Sequence, residues 1–190
     1  MGGRGMIYIG IDPGVSGGVA LITDNSEKFN KLLGLNKCPG TVSDMAELLN
    51  FNKTIKMTAV IEKVHSMPQQ GVASTFKFGM NYGQWLGILA ALQIPYIEVT
   101  PQKWMKHFGG LPVCPSKAPK KADYNTEFCG CDLAGYNLAV KAHKAAQAKN
   151  KTARKNHLKS LAQARFPKTK ITLATADAVL LAVYAKETIK

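Results

Sequence analysis

Hydrophobic residues in this chain fall into short, separated runs, and two of the first runs end on a carboxylate. Ile7-Tyr-Ile-Gly-Ile-Asp12 is followed by Pro13, Gly14, Gly17 and Gly18, and the apolar pattern restarts at Val19-Ala-Leu-Ile22. β-Branched and aliphatic residues flanking a Gly/Pro turn predict two antiparallel strands, with Asp12 where the first leaves the sheet core. A carboxylate there is costly unless it has a partner. Lys31–Leu35 predicts a third strand that completes an antiparallel meander. Thr41-Val-Ser-Asp44 has the form of a capping box, and Met45, Leu48 and Leu49 supply the apolar face of the helix that follows. Met57-Thr-Ala-Val-Ile-Glu62 is another apolar run closed by an acid. A crossover helix between the two acid-ended runs makes parallel neighbours the default, which sets Asp12 and Glu62 at one sheet edge.

Beyond Glu62 the segment 63–71 holds His65, Pro68, Gln69 and Gln70 and reads as an exposed polar loop. From Ser74 to Leu92 aromatics, glycines and aliphatics alternate, with Gly79, Gly83 and Gly87 four apart. Glycine is a poor helix former, so this row predicts a face approached closely, by a core helix or by a dimer partner. Ile94–Val99 predicts a strand, and Pro101 starts a short helix through Trp104. Gly109–Asp132, with its prolines, cysteines and Lys117, Lys120 and Lys121, reads as a long surface loop ordered on binding. A helix through Lys155, Leu158, Leu161, Ala162 and Arg165 comes next. Thr172–Tyr184 closes the chain as an apolar helix whose one acid is Asp177.

A chain of 190 residues, 46% hydrophobic, suits one α/β domain with a sizeable core. The net charge of +13 is concentrated, since residues 101–170 hold 15 Lys and Arg against 3 Asp and Glu. Such asymmetry points to a polyanion, nucleic acid above all, against the plainer alternative of a solvated basic surface. The expected organisation is a single domain over 1–190 with a basic insertion at about 109–148. No apolar run approaches a membrane span, and Arg4 as the one charge before a strand-length run supports neither signal nor transit peptide. Cys38, Cys114, Cys129 and Cys131 fit a reducing compartment, so a cytoplasmic location is expected. A zinc site from Cys114, Cys129 and Cys131 with His107 or His143 is an alternative whose spacing matches no zinc module closely.

Asp177, on a helix otherwise made of core residues, needs the same explanation as Asp12 and Glu62. Three carboxylates converging on one point repel one another, and hard divalent cations relieve that repulsion. Oxygen-only ligands suit Mg²⁺, with Mn²⁺ able to substitute, and a pair of such ions supports phosphodiester hydrolysis.

The order Gly-Ile-Asp12-Pro-Gly, Ile-Glu62 and Ala-Asp177-Ala-Val-Leu-Leu-Ala resembles the RuvC family of Holliday junction resolvases, most nearly its phage and plastid branches. Phe78-Gly-Met-Asn-Tyr-Gly83, Val99-Thr-Pro-Gln-Lys-Trp104 and Lys155-Asn-His-Leu-Lys extend the likeness over nearly all of the chain except roughly 109–148. The resemblance implies a ribonuclease H-like mixed sheet flanked by helices, a homodimer, and paired symmetric nicks across a four-way DNA junction. It also implies two Mg²⁺ per site held by Asp12, Glu62 and Asp177, with Lys155 as the active-site lysine. Lys155 would stabilise the charged phosphorane or orient the attacking water. Expected DNA contacts are His65, Gln69, Gln70, Lys103, Lys149, Lys151, Arg154 and Lys159. In one respect the chain departs from the family: a fourth acid is usual three or four residues before the last, where this chain has Ala174 and Leu173. If 174 lies one helical turn before Asp177, the vacancy raises the metal requirement.

Three other readings remain at this point. An actin-like or Hsp70-like ATP-binding protein shares the Ile-Asp-x-Gly hairpin, but needs a longer two-lobed chain. A non-catalytic binder of branched nucleic acid would account for the missing acid. Another ribonuclease H-like nuclease, cutting RNA in hybrids, is the third.

Overall fold

A computed structural model describes residues 5–24, 30–51, 54–65, 71–126 and 130–189. The chain forms two compact units, residues 1–109 with 158–190 and residues 110–157.

The first unit is built on a five-stranded sheet. Its strands are β1 (Ile7–Asp12), β2 (Gly18–Asp24), β3 (Asn30–Lys37), β4 (Met57–Glu62) and β5 (Tyr96–Val99). Their order across the sheet is β3-β2-β1-β4-β5. β1, β2 and β3 form the expected antiparallel meander, whereas β4 lies parallel to β1 and β5 parallel to β4. Between them run α1 (Val42–Leu49), α2 (Val72–Ala91) and α3 (Pro101–Phe108), with α5 (Ala176–Thr188) closing the chain. Thr41 Oγ1 accepts the backbone N–H of Asp44 at 3.1 Å, the N-terminal half of the predicted capping box.

The two faces of the sheet are covered differently. Ile7, Ile9, Ile11, Ala59 and Ile61 join Met45 and Leu49 of α1 and Trp85, Ile88 and Leu89 of α2 in one buried cluster. Strand side chains alternate, so Tyr8, Gly10 and Asp12 on β1, and Thr58, Val60 and Glu62 on β4, point to the other face. That face packs against α5, which touches β1, β2 and β4. Apart from Asp177, α5 is buried all round from Ala176 to Ala185, as its otherwise apolar sequence requires. It also comes unusually close. A Cβ added to Gly10 would lie 2.1 Å from the Ala178 carbonyl oxygen and 2.3 Å from the Ala182 nitrogen, so only glycine fits beneath the helix. Gln163 fixes the approach to α5: its amide donates to the carbonyls of Phe166 and Thr169 at 3.1 and 2.8 Å and accepts from Ile171 N at 3.1 Å.

The second unit contains a 3₁₀ turn (Lys121–Tyr124), the two-residue strands β6 (Asn125–Thr126) and β7 (Gly130–Cys131), and most of α4 (Leu133–Arg165). Helix begins at Leu133, well inside the segment expected as a basic insertion. The Ala- and Lys-rich run Ala139-Val-Lys-Ala-His-Lys-Ala-Ala-Gln-Ala148 has high intrinsic helix propensity although no apolar stripe announces it. Asp132 caps the start, its Oδ1 accepting the Gly135 N–H at 2.9 Å. Among the described residues no helix is long and apolar enough to cross a membrane.

Candidate active site

The sheet register decides where the acids fall. Ile11 pairs with Ile61, so the next residues, Asp12 and Glu62, end adjacent parallel strands at the same level and on the α5 face. Asp12 is also opposite Gly18 on β2. A Cβ on Gly18 would meet the Ala174 carbonyl oxygen at 3.1 Å and Thr175 Cα at 3.4 Å, which brings the segment leading into α5 to this same edge. Asp177 follows in the first turn of α5. All three carboxylate residues are partly buried.

The turn after Asp12 is tightly held. Gly14 adopts φ 107°, a left-handed conformation that favours glycine. Its N–H donates to Asn81 Oδ1 on α2 at 2.8 Å, while Asn81 Nδ2 donates to Cys38 Sγ at 3.4 Å. A Cβ on Gly17 would sit 2.1 Å from the Asp12 carbonyl oxygen. Asn81 thus pins the backbone next to Asp12 from a helix 67 residues away in sequence.

Glu62 has its own support. β5 pairs Val99 with Glu62, Lys63 N–H donates to the Val99 carbonyl at 2.8 Å, and α3 begins two residues after Val99. This returns Trp104, fully buried, to the strand end, where its indole Nε1–H donates to Glu62 Oε2 at 2.7 Å. Burial pushes the Glu62 carboxyl up; the Trp104 bond opposes that and the charge of Asp177 adds to it, leaving the pKa at about 7 against an ordinary 4.5.

A carboxylate raised in this way by burial and a second acid is the electrostatic condition that a bound divalent cation relieves, and an all-oxygen donor set fits Mg²⁺ or Mn²⁺. Among the described residues, no three His, Cys, Asp or Glu side chains form a ready-made metal cage. Glu62 Oε2 is turned to Trp104.

The other expected residues divide by unit. Lys103 is exposed on α3, His65 is exposed just after β4, and Lys159 is partly buried on α4. Lys149, Lys151 and Lys155 are exposed and Arg154 partly buried, all in the second unit. Gln69 and Gln70 lie outside the described residues. Ala174 precedes the helix that was expected to carry it: α5 starts at Ala176, and 172–175 form the preceding turn. There the Thr172 N–H donates to Thr175 Oγ1 at 3.1 Å.

The zinc alternative gains no support from the described atoms. His107 Nε2 meets Glu187 Oε2 at 2.6 Å, and His143 Nδ1 meets Ser116 Oγ at 2.8 Å, with Cys114 Sγ 3.7 Å from that hydroxyl. The side chains of Cys129 and Cys131 lie outside the described residues. Two supporting residues carry no role in the sequence reading, Trp104 and Asn81. Each lies inside a stretch that marks the family resemblance, and that was the one signal available.

Compared with protein-family models the sequence matches none, and no curated protein matches it. Solved structures do match. A Thermus thermophilus RuvC in complex with a Holliday junction substrate superposes with a TM-score of 0.55 at 14% identity, covering 97% of each chain. A second T. thermophilus RuvC structure gives 0.52 at 17% identity, covering 96% of each. A mixed five-stranded sheet with its helices arranged in this way, matched over almost the whole chain, is a RuvC-like, ribonuclease H-like fold.

Proposed function

We propose that the protein is a metal-dependent endonuclease that resolves four-way DNA junctions by paired nicks. What supports this reading is that strand register sets Asp12 and Glu62 at one sheet edge, and that the charge of Asp177, in the first turn of α5, acts on the Glu62 carboxyl. Asp12, Glu62 and Asp177 would hold Mg²⁺ or Mn²⁺, two per site, which when bound activates water and stabilises the leaving oxygen of a phosphodiester. The chain's own part is to fix the ligands: Asn81 and the glycine turn hold Asp12, β5 and Trp104 hold Glu62, and Gly10 lets α5 bring Asp177 in. Lys155 would stabilise negative charge on the phosphorane or orient the attacking water. Lys103, Lys149, Lys151, Arg154, Lys159, His65, Gln69 and Gln70 would contact the DNA, the basic side chains mainly at its phosphates.

Paired nicks require two sites, and α2 supports a homodimer. Val72, Phe76 and Met80, spaced one helical turn apart, are 87%, 71% and 50% exposed. Added Cβ atoms at Gly79, Gly83 and Gly87 would meet nothing within 4 Å. A second copy would cover this strip, and sedimentation of the wild type should give a dimer.

The alternative of a non-catalytic junction binder is favoured by Leu173 and Ala174, which stand where the family this chain resembles usually has a fourth acid. A single assay separates the two. A synthetic four-way junction, a linear duplex and an RNA–DNA hybrid are each incubated with protein and Mg²⁺. Cutting of the junction alone supports a resolvase, tight binding without cutting supports the binder, and cutting of the hybrid alone would replace both.

A further inference from the structure

The bond between Trp104 and Glu62 has properties that ordinary packing does not require. An indole N–H can only donate, so it holds Oε2 as an acceptor, and the ring is fully buried, so the N–H has no water to bond instead. Trp85, the other tryptophan of the chain, is equally buried on the opposite face of the sheet, and its Nε1 has no hydrogen-bond partner. Burial of an indole in this protein therefore does not by itself demand a carboxylate.

The ring is also anchored from behind. Trp104 meets Phe108 edge-on at 6.3 Å, and the Arg165 guanidinium lies 4.9 Å from the Phe108 ring centre. His107 packs edge-on against Tyr184 of α5 at 5.1 Å and bonds Glu187. α3 is thus fastened to the far end of the helix whose first turn carries Asp177, so one helix pair sets both the Glu62 support and the third acid.

We propose that Trp104 is a positioning residue for the metal site: its buried N–H fixes Glu62 Oε2, and with it the orientation in which Glu62, together with Asp12 and Asp177, would hold a divalent cation. This inference rests on the metal-dependent reading given above. Hydrogen-bond partners behind a metal ligand typically change metal affinity about 10–100-fold when lost.

The test replaces both tryptophans by β-(3-benzothienyl)alanine, which keeps the ring shape and lacks the N–H. Trp85 then loses a donor that bonds nothing, and Trp104 loses its bond to Glu62. Mn²⁺ binding to the DNA-free protein is measured by calorimetry, beside the melting temperature and junction affinity in EDTA. Trp104→Phe is made as the encoded counterpart. The expected result is Mn²⁺ binding at least about tenfold weaker, with melting temperature and metal-free junction affinity held in the substituted protein. Equal Mn²⁺ affinity in the wild-type and substituted proteins overturns the role of Trp104 and leaves the nuclease reading intact. A parallel loss of melting temperature and junction affinity would reduce Trp104 to a packing residue. A wild-type protein that takes up no Mn²⁺ overturns the metal-dependent reading, and this inference with it.

Discussion

Glu62 shows how burial shifts the titration of an ordinary carboxyl. Its folded-state pKa of about 7 lies above the ordinary 4.5, so between those values the folded protein holds a proton that the unfolded chain has released. Metal-free stability should therefore fall as pH rises from about 4.5 to about 7 and level off above, by about 3 kcal/mol in all. Glu62→Gln has no such proton to lose. Urea unfolding of both proteins in EDTA across pH 4.5–8 measures the slope, which the variant should lack; equal slopes would place the titration elsewhere. That Glu62 ends a strand was legible from its apolar run. Its partner was not, because Trp104 is 42 residues away and reaches it only through the β4–β5 register and the return of α3. The role of Asn81 was illegible for the same reason, since the Gly14 N–H it accepts belongs to a turn 67 residues distant.

Among the elements, α5 is the one whose seat decides the site. A helix buried nearly all round must lie flat on the sheet, and Gly10 is the point where it touches β1. In Gly10→Ala the new methyl would press on helix backbone at Ala178 and Ala182, which cannot rotate away as a side chain would. A loss of about 3 kcal/mol in urea unfolding is expected, with metal affinity falling as Asp177 shifts outward. An unchanged midpoint would mean that α5 is not seated on Gly10. The parallel placing of the two acid-ended strands was legible, since a crossover helix leaves few other topologies. The start of α5 was less so. Thr172–Thr175 continues the apolar pattern of the helix, but Thr175 closes a turn on Thr172, so Ala174 lies in that turn and not in the helix. The start of α4 was hidden in the opposite way, by a helix with charge and alanine but no apolar stripe.

For the whole molecule, the excess of positive charge has to be put to work at phosphates or left in solvent. Residues 141–170 carry ten Lys and Arg and no acid. If Lys149 and Lys151 each neutralise a phosphate, replacing either by Ala should reduce the slope of log affinity against log salt by about 0.9, because one counterion fewer is released. Filter binding of a four-way junction over a range of NaCl concentrations reads this directly, and an unchanged slope would return these lysines to the solvated surface. Everything else depends on whether the acid edge of the sheet performs hydrolysis. The most direct measurement is the rate of junction cutting in Mg²⁺ by wild type, Asp12→Asn and Glu62→Gln, with junction affinity followed in parallel. Both amides keep the shape of the acid and remove its charge. The account predicts that the wild type cuts and both variants bind the junction at least as tightly without cutting it; wild-type cutting rates in either variant would contradict it.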